Sequence, residues 1–100
     1  MTQTPTIPAS ACFRTTPGTL WSAQAGGVIV GDHVRNDWMQ LAYPEAAVWD
    51  LLARGRSIAD TAGRVRWIAG LSPEAAQALV QGCADRWLRE NRIRQWPTSP

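Results

Sequence analysis

As far as Ala42 the apolar residues of this chain fall in short β-type runs, and from Pro44 onward they recur at helical spacing. A chain that changes its apolar period once in this way packs helices against one face of a small sheet. The β-type runs are residues 19–24, 28–30 and 38–42, separated by turn chemistry at Gly26-Gly27 and at Arg35-Asn36-Asp37. They predict a three-stranded antiparallel meander. In the last run Trp38, Gln40 and Ala42 share one face while Met39, Leu41 and Tyr43 share the other, so one side can cover a core.

The helical half is punctuated three times. Pro44 suits the first turn of a helix with apolar positions Ala47, Val48, Leu51 and Leu52, Trp49 beside them, and Gly55 as the stop. Ser57, with Asp60 three residues on, predicts the cap of a second helix whose stripe is Ile58, Ala62, Val65 and Ile68 and whose end is Gly70. Ser72-Pro73-Glu74 combines an N-cap, a first-turn proline and an acid at the positive end of the dipole. That third helix is expected to reach about Asn91 with Ala76, Leu79, Cys83 and Leu88 inward; Gly82 weakens it by about 1 kcal/mol relative to Ala.

The expectation is an α+β domain: a three-stranded antiparallel sheet followed by three helices. One hundred residues make a single domain, and a chain of that length hides only about 60–65% of its unfolded surface, so every element must share one core. Residues 1–17 hold Pro5, Pro8 and Pro17 among threonines, and residues 97–100 are Pro, Thr and Ser, so both ends read as flexible tails around an ordered unit at 18–96.

Composition excludes several classes of function. The ten basic residues are all arginine against eight acids, a net charge of +2 that is too small to announce nucleic-acid binding. Cys12 and Cys83 stand far apart and His33 is the single histidine, which excludes a Cys/His metal site; no cofactor is expected. The N-terminus lacks a basic and an apolar signal region and no run of about 18 apolar residues occurs, so the chain reads as cytoplasmic, with reduced thiols and no membrane partner. His33, beside Asp32 without a third group, reads as a solvated loop residue. Cys83 reads as a small buried hydrophobe, and Cys12 as a tail thiol open to reagents.

Six tryptophans, at 21, 38, 49, 67, 87 and 96, exceed what one small core accommodates. Trp49 reads as packed and Trp87 as either packed or exposed at an interface, while Trp67 and Trp96 are candidates for a partner surface.

The passage Trp38-Met-Gln-Leu-Ala-Tyr-Pro-Glu-Ala-Ala-Val-Trp-Asp-Leu-Leu52 resembles the strand-to-helix signature of the PqqD-like family, the RiPP recognition elements. Gly55-Arg-Ser-Ile-Ala-Asp60 resembles that family's start of the second helix, and Cys83-Ala-Asp-Arg-Trp-Leu88 its final helix; the similarity spans about residues 19–94. Three features depart from the pattern. Ala42 stands where an Asn or Asp is customary, Asn91-Arg92-Ile93 replaces Gly-Leu-Leu, and the loop before the third helix lacks the usual aspartate.

The resemblance implies a winged helix-turn-helix domain that is not an enzyme. Such a domain is a peptide-binding adaptor: it holds the leader of a ribosomally made precursor peptide for a separate modifying enzyme or leader peptidase. The leader would add as a strand to the edge carrying Trp38, Met39, Gln40 and Leu41, in a groove walled by Val80, Cys83, Ala84 and Trp87. Arg86 and Arg89 on the helix and Arg35 near the strand would pair with acidic leader residues.

Two other readings remain open on sequence grounds. A winged-helix DNA-binding regulator would use Arg54, Arg56, Arg64 and Arg66 with Arg86, Arg89, Arg92 and Arg94 as phosphate contacts, although Asp50, Asp60, Asp85 and Glu90 are interleaved with them. A structural subunit of a modification enzyme would depend on its partner for catalytic groups.

Overall fold

A computed structural model describes residues 7–96. In chain order the elements are β1 (Cys12–Thr15), β2 (Thr19–Gln24), β3 (Gly27–Asp32), β4 (Asp37–Ala42), α1 (Glu45–Ala53), α2 (Ile58–Ala69), α3 (Pro73–Arg89) and β5 (Ile93–Trp96). The expected α+β arrangement is present: β2, β3 and β4 form an antiparallel sheet in that order, and three helices follow it. A separate antiparallel ribbon joins β1 to β5.

Local chemistry places the turns. Gln24 pairs with Gly27, which leaves Ala25-Gly26 as the two-residue loop, and Gly26 takes φ +87°, a left-handed value that favours glycine. Between β3 and β4 the Asp32 carboxylate accepts from the backbone N–H of Val34 at 2.9 Å and of Arg35 at 3.2 Å, with Asn36 left-handed at φ +54°. His33 is exposed in this turn.

The helix caps match their residues. Ser57 accepts from the Asp60 N–H and Ser72 from the Ala75 N–H, both at 3.1 Å, and Gly70 closes α2 in the left-handed region. Helix α3 stops at Arg89, slightly short of the expectation, because Asn91 turns left-handed at φ +59°.

Register sets the two faces of the sheet. Trp21, Val30 and Met39 form one cross-strand row and Ala23, Val28 and Leu41 the next; Val28, Val30 and Leu41 are buried beneath the sheet. On the opposite face Leu20, Gly31 and Trp38 lie in register, and a Cβ at Gly31 would overlap the six-membered ring of Trp38. Glycine is required there because the indole covers the bare backbone. The core is centred on Trp49 and Trp87, both fully buried, with ring centroids 5.1 Å apart and planes at 80°. Such an edge-to-face pair adds about 0.5–1.5 kcal/mol beyond the area it buries. Neither indole N–H has an acceptor among the described residues.

The described part of the N-terminal segment is not a tail. Phe13 of β1 is 1% exposed and Ala11 is buried, and the Ala11 and Ala9 carbonyls accept from the N–H groups of Ile58 and Ala59 at 3.0 and 2.9 Å. Those are among the donors that the first turn of α2 cannot satisfy by itself. Gln81 on α3 also donates to the Ile7 carbonyl at 2.7 Å. The tail expected at 97–100, like residues 1–6, lies outside the described residues. Within α2 the buried stripe ends at Val65, and Ile68 is 59% exposed rather than inward, because α1 and the narrow sheet leave an open cleft beside the last turn. Leu79 and Leu88 are partly buried against the core. No helix among the described residues is long and apolar enough to cross a membrane.

Candidate functional site

Strand β4 has one ladder partner, β3, so its other edge is unpaired among the described residues. Such an edge presents alternating N–H and C=O groups that an extended peptide can satisfy. On its helix-facing side Met39 is half-buried and Leu41 buried; on the other side Trp38 and Gln40 are exposed. The Trp38 indole N–H donates to Asn36 Oδ1 at 3.3 Å, which fixes its ring over Gly31.

Two ion pairs lie near the ends of β4: one joins α3 to the first residue of α1, the other joins the turn after α3 to the first residue of β4. Arg86 Nη2 meets Glu45 Oε2 at 2.7 Å just beyond the last residue of the strand, and Arg92 Nη2 meets Asp37 Oδ2 at 3.2 Å at its first. Hydrogen bonding to the Glu45 carboxylate raises the Arg86 pKa further above its ordinary range. The Arg92 side chain is only 11% exposed and also donates to Glu90 at 2.7 Å, so its charge is held between two carboxylates largely out of water. The Asn91-Arg92-Ile93 departure is thereby accounted for: Asn91 supplies the left-handed cap, Arg92 the bridge, and Ile93 is 1% exposed in the core.

The expected groove wall needs correction. Val80, Ala84 and Trp87 are fully buried and Cys83 is 5% exposed, all within the core cluster, so no peptide side chain reaches them in this state. The physical reason is helical geometry. Residues 76, 80, 83, 84 and 87 form one stripe on α3, and a domain this small uses its single apolar stripe for the core. Burial pushes the Cys83 thiol up to about 11, with the Glu45 charge adding to it, which suits an inert hydrophobe. Of the other expected contributors, Arg35 is paired with Asp32 at 3.0 Å and Arg89 with Asp85 at 2.8 Å. What the structure brings together at β4 is therefore Trp38, Met39 and Gln40 with the free backbone, flanked by Arg86.

Sequence reasoning missed a second feature. A cleft of about 570 Å³ opens between the β2–β3 end of the sheet, α1 and α2. Ala23, Val28, Ala47 and Leu51 lie in its floor and walls, and Tyr43, Trp67 and Ile68, at 57%, 77% and 59% exposure, stand around it. The sequence signal was the adjacent pair Trp67-Ile68, of which only Trp67 pointed outward by pattern.

The arginines are mostly occupied. Arg54 pairs with Asp50, Arg56 and Arg64 with Asp60, and the exposed face of α3 offers Glu74, Ala75, Ala78 and Gly82 before it reaches Arg86 and Arg89. A helix that reads a DNA groove needs basic and amide side chains along such a face. Among the described residues no group of three or more His, Cys, Asp and Glu side chains is placed to hold a metal ion. No family model matches this chain, and neither does any curated protein or solved structure.

Proposed function

We propose that this chain is a non-catalytic, cytoplasmic adaptor of the PqqD-like, winged-helix type. In this reading the leader of a ribosomally made precursor peptide adds as a strand to the free edge of β4, and a separate modifying enzyme or leader peptidase acts on the tethered peptide. The observation that carries the reading is that among the described residues β4 pairs on one side only, while Trp38, Met39 and Gln40 remain accessible along it. Backbone hydrogen bonds give affinity with little dependence on sequence, and Met39 and Trp38 supply apolar contact on the two faces. The gain to the enzyme is effective concentration, so the domain itself needs no reacting group.

The test uses the peptide encoded by a short reading frame beside the gene, titrated calorimetrically while exchange of the β4 amides is followed. Binding should protect residues 37–42 and change little with salt, and Met39→Arg should weaken it by about tenfold or more, the loss of a buried apolar contact. Unchanged affinity in Met39→Arg together with unprotected β4 amides would falsify the proposal. Steep weakening with salt and competition by duplex DNA would favour the regulator reading instead.

A further inference from the structure

We infer that the outer face of the β1–β5 ribbon is a binding site for a dianionic phosphate monoester, held by Arg14 and Arg94, with Trp96 orienting the first of them. Neither strand of the ribbon belongs to the three-stranded sheet, so the site is independent of the β4 reading.

Register brings the two arginines together. Arg14 pairs with Arg94 across the ribbon and Cys12 with Trp96, so alternation puts these four side chains on one face. The other face carries Phe13 and Ile93, each 1% exposed, which fixes the ribbon to the core and leaves both arginines in solvent. The Thr16 N–H donates to the carbonyl of Arg92, its opposite residue in the same register, at 3.0 Å. Hydrogen-bonded pairs recur at every second residue, so Arg14 and Arg94 form such a pair, with β-carbons about 5 Å apart.

Like charges directly opposite each other destabilise a ladder unless a counter-charge lies beside them. The chain supplies none. All eight acidic side chains lie among the described residues, and the ion pairs they make go to seven other arginines. Arg66 stacks by itself on Trp67 in α2. Arg14 and Arg94 are therefore two neighbouring cations with no carboxylate partner among the described residues.

Trp96 adds geometry to charge. It is 49% exposed, and the Arg14 guanidinium carbon lies over its ring at 4.1 Å from the centroid. A guanidinium stacked on an aromatic face keeps its N–H edge free to donate. Two forks on adjacent strands thus offer two positive charges to a single ligand. A carboxylate or a phosphodiester returns one negative charge, whereas a phosphate monoester returns about two near neutral pH on three acceptor oxygens.

The probe is methyl phosphate, with dimethyl phosphate as its singly charged counterpart, titrated into the full chain at pH 7.5 while the Arg14 and Arg94 Nε–H groups and the Trp96 indole N–H are followed by NMR. Methyl phosphate should shift all three and bind at least about tenfold more tightly than dimethyl phosphate. Arg14→Lys keeps the charge but loses the stacked fork, and Trp96→Ala leaves both charges in place; each should weaken binding about threefold or more. Arg94→Glu sets opposite charges across the ribbon, so it should abolish the shifts while raising the thermal midpoint, which shows that lost binding is not lost fold. A blocked Ala-phosphoserine-Ala peptide and adenosine 5′-monophosphate distinguish a phosphorylated partner chain from a free nucleotide as the source, according to which binds more tightly than methyl phosphate. Equal affinity for the two methyl esters, binding that survives Arg94→Glu, or full retention in both Arg14→Lys and Trp96→Ala would overturn the inference. Protection of the β4 amides by a leader peptide is read separately from these shifts, so the two proposals fail independently.

Discussion

Among the described residues strands β2 and β4 each leave one side of the ladder unpaired, yet β4 is tied at its first residue to Arg92, just after α3, by an ion pair, whereas β2 borders an open cleft. Both edges offer the same backbone groups to an extended chain. What differs is the side-chain environment: the inward stripe of α3 is filled core, and the last turn of α2 presents Trp67 and Ile68 to solvent. An edge over packed core selects by backbone complementarity and flanking charge, while an edge over a cavity can select by the shape of one side chain. Equal availability of backbone therefore does not mean equal selectivity.

The sharpest way to break this contrast is to truncate one tryptophan on each side. Trp87→Ala removes a fully buried ring from beside Trp49 and should cost about 3–5 kcal/mol in urea unfolding, which in a domain this size leaves little folded protein. Trp67→Ala, at 77% exposure, should stay within about 0.5 kcal/mol. A mild Trp87→Ala would mean that α3 shows an accessible face after all, and the two edges would become equivalent.

A smaller effect separates the ion pairs on the two sides. The Arg92 guanidinium is largely out of water while its two partners, Asp37 and Glu90, stay exposed, so Arg92→Ala removes two charge-assisted hydrogen bonds and the packing of a half-buried side chain and should cost about 1–2 kcal/mol. Arg54 at the cleft rim is 62% exposed in its pair with Asp50, and Arg54→Ala should cost less than about 0.5 kcal/mol. Similar losses in the two variants would show that the tie at β4 is no firmer than an ordinary surface pair.

These contrasts also mark where the sequence was informative. The meander, the caps at Ser57 and Ser72 and the stops at Gly55 and Gly70 were legible because each depends on residues within a few positions of one another. The β1–β5 ribbon was not, since Cys12 pairs with Trp96 and neither four-residue run carries a pattern of its own. Phe13, the single phenylalanine, was the only trace of it. At the candidate site the exposed β4 residues were legible from alternation, but Val80, Ala84 and Trp87 were misassigned because a helical stripe looks the same whether it faces a core or a groove. The cleft beside β2 depends on how far the sheet overhangs α1 and α2, a tertiary property that no local run encodes.

The finest test of the contrast uses the two thiols. Cys83 lies on the α3 stripe with its pKa pushed up by burial to about 11, so at pH 8 its thiolate fraction in the folded state is on the order of one in a thousand. Cys12 is only half-buried, in β1. A thiol reagent at pH 8 should therefore label Cys12 in the native protein, and label Cys83 only at the rate of global unfolding, rising with urea as stability falls. Linkage runs the same way: a folded-state value above the ordinary 9.0 means stability that is complete below pH 9, declining as pH climbs toward 11, and absent as a dependence in Cys83→Ala. Labelling of Cys83 that is fast and indifferent to urea would show α3 separating locally from the core beside β4. In that event the buried stripe would open as a wall for a bound peptide, and the difference between the two edges would be one of dynamics rather than of packing.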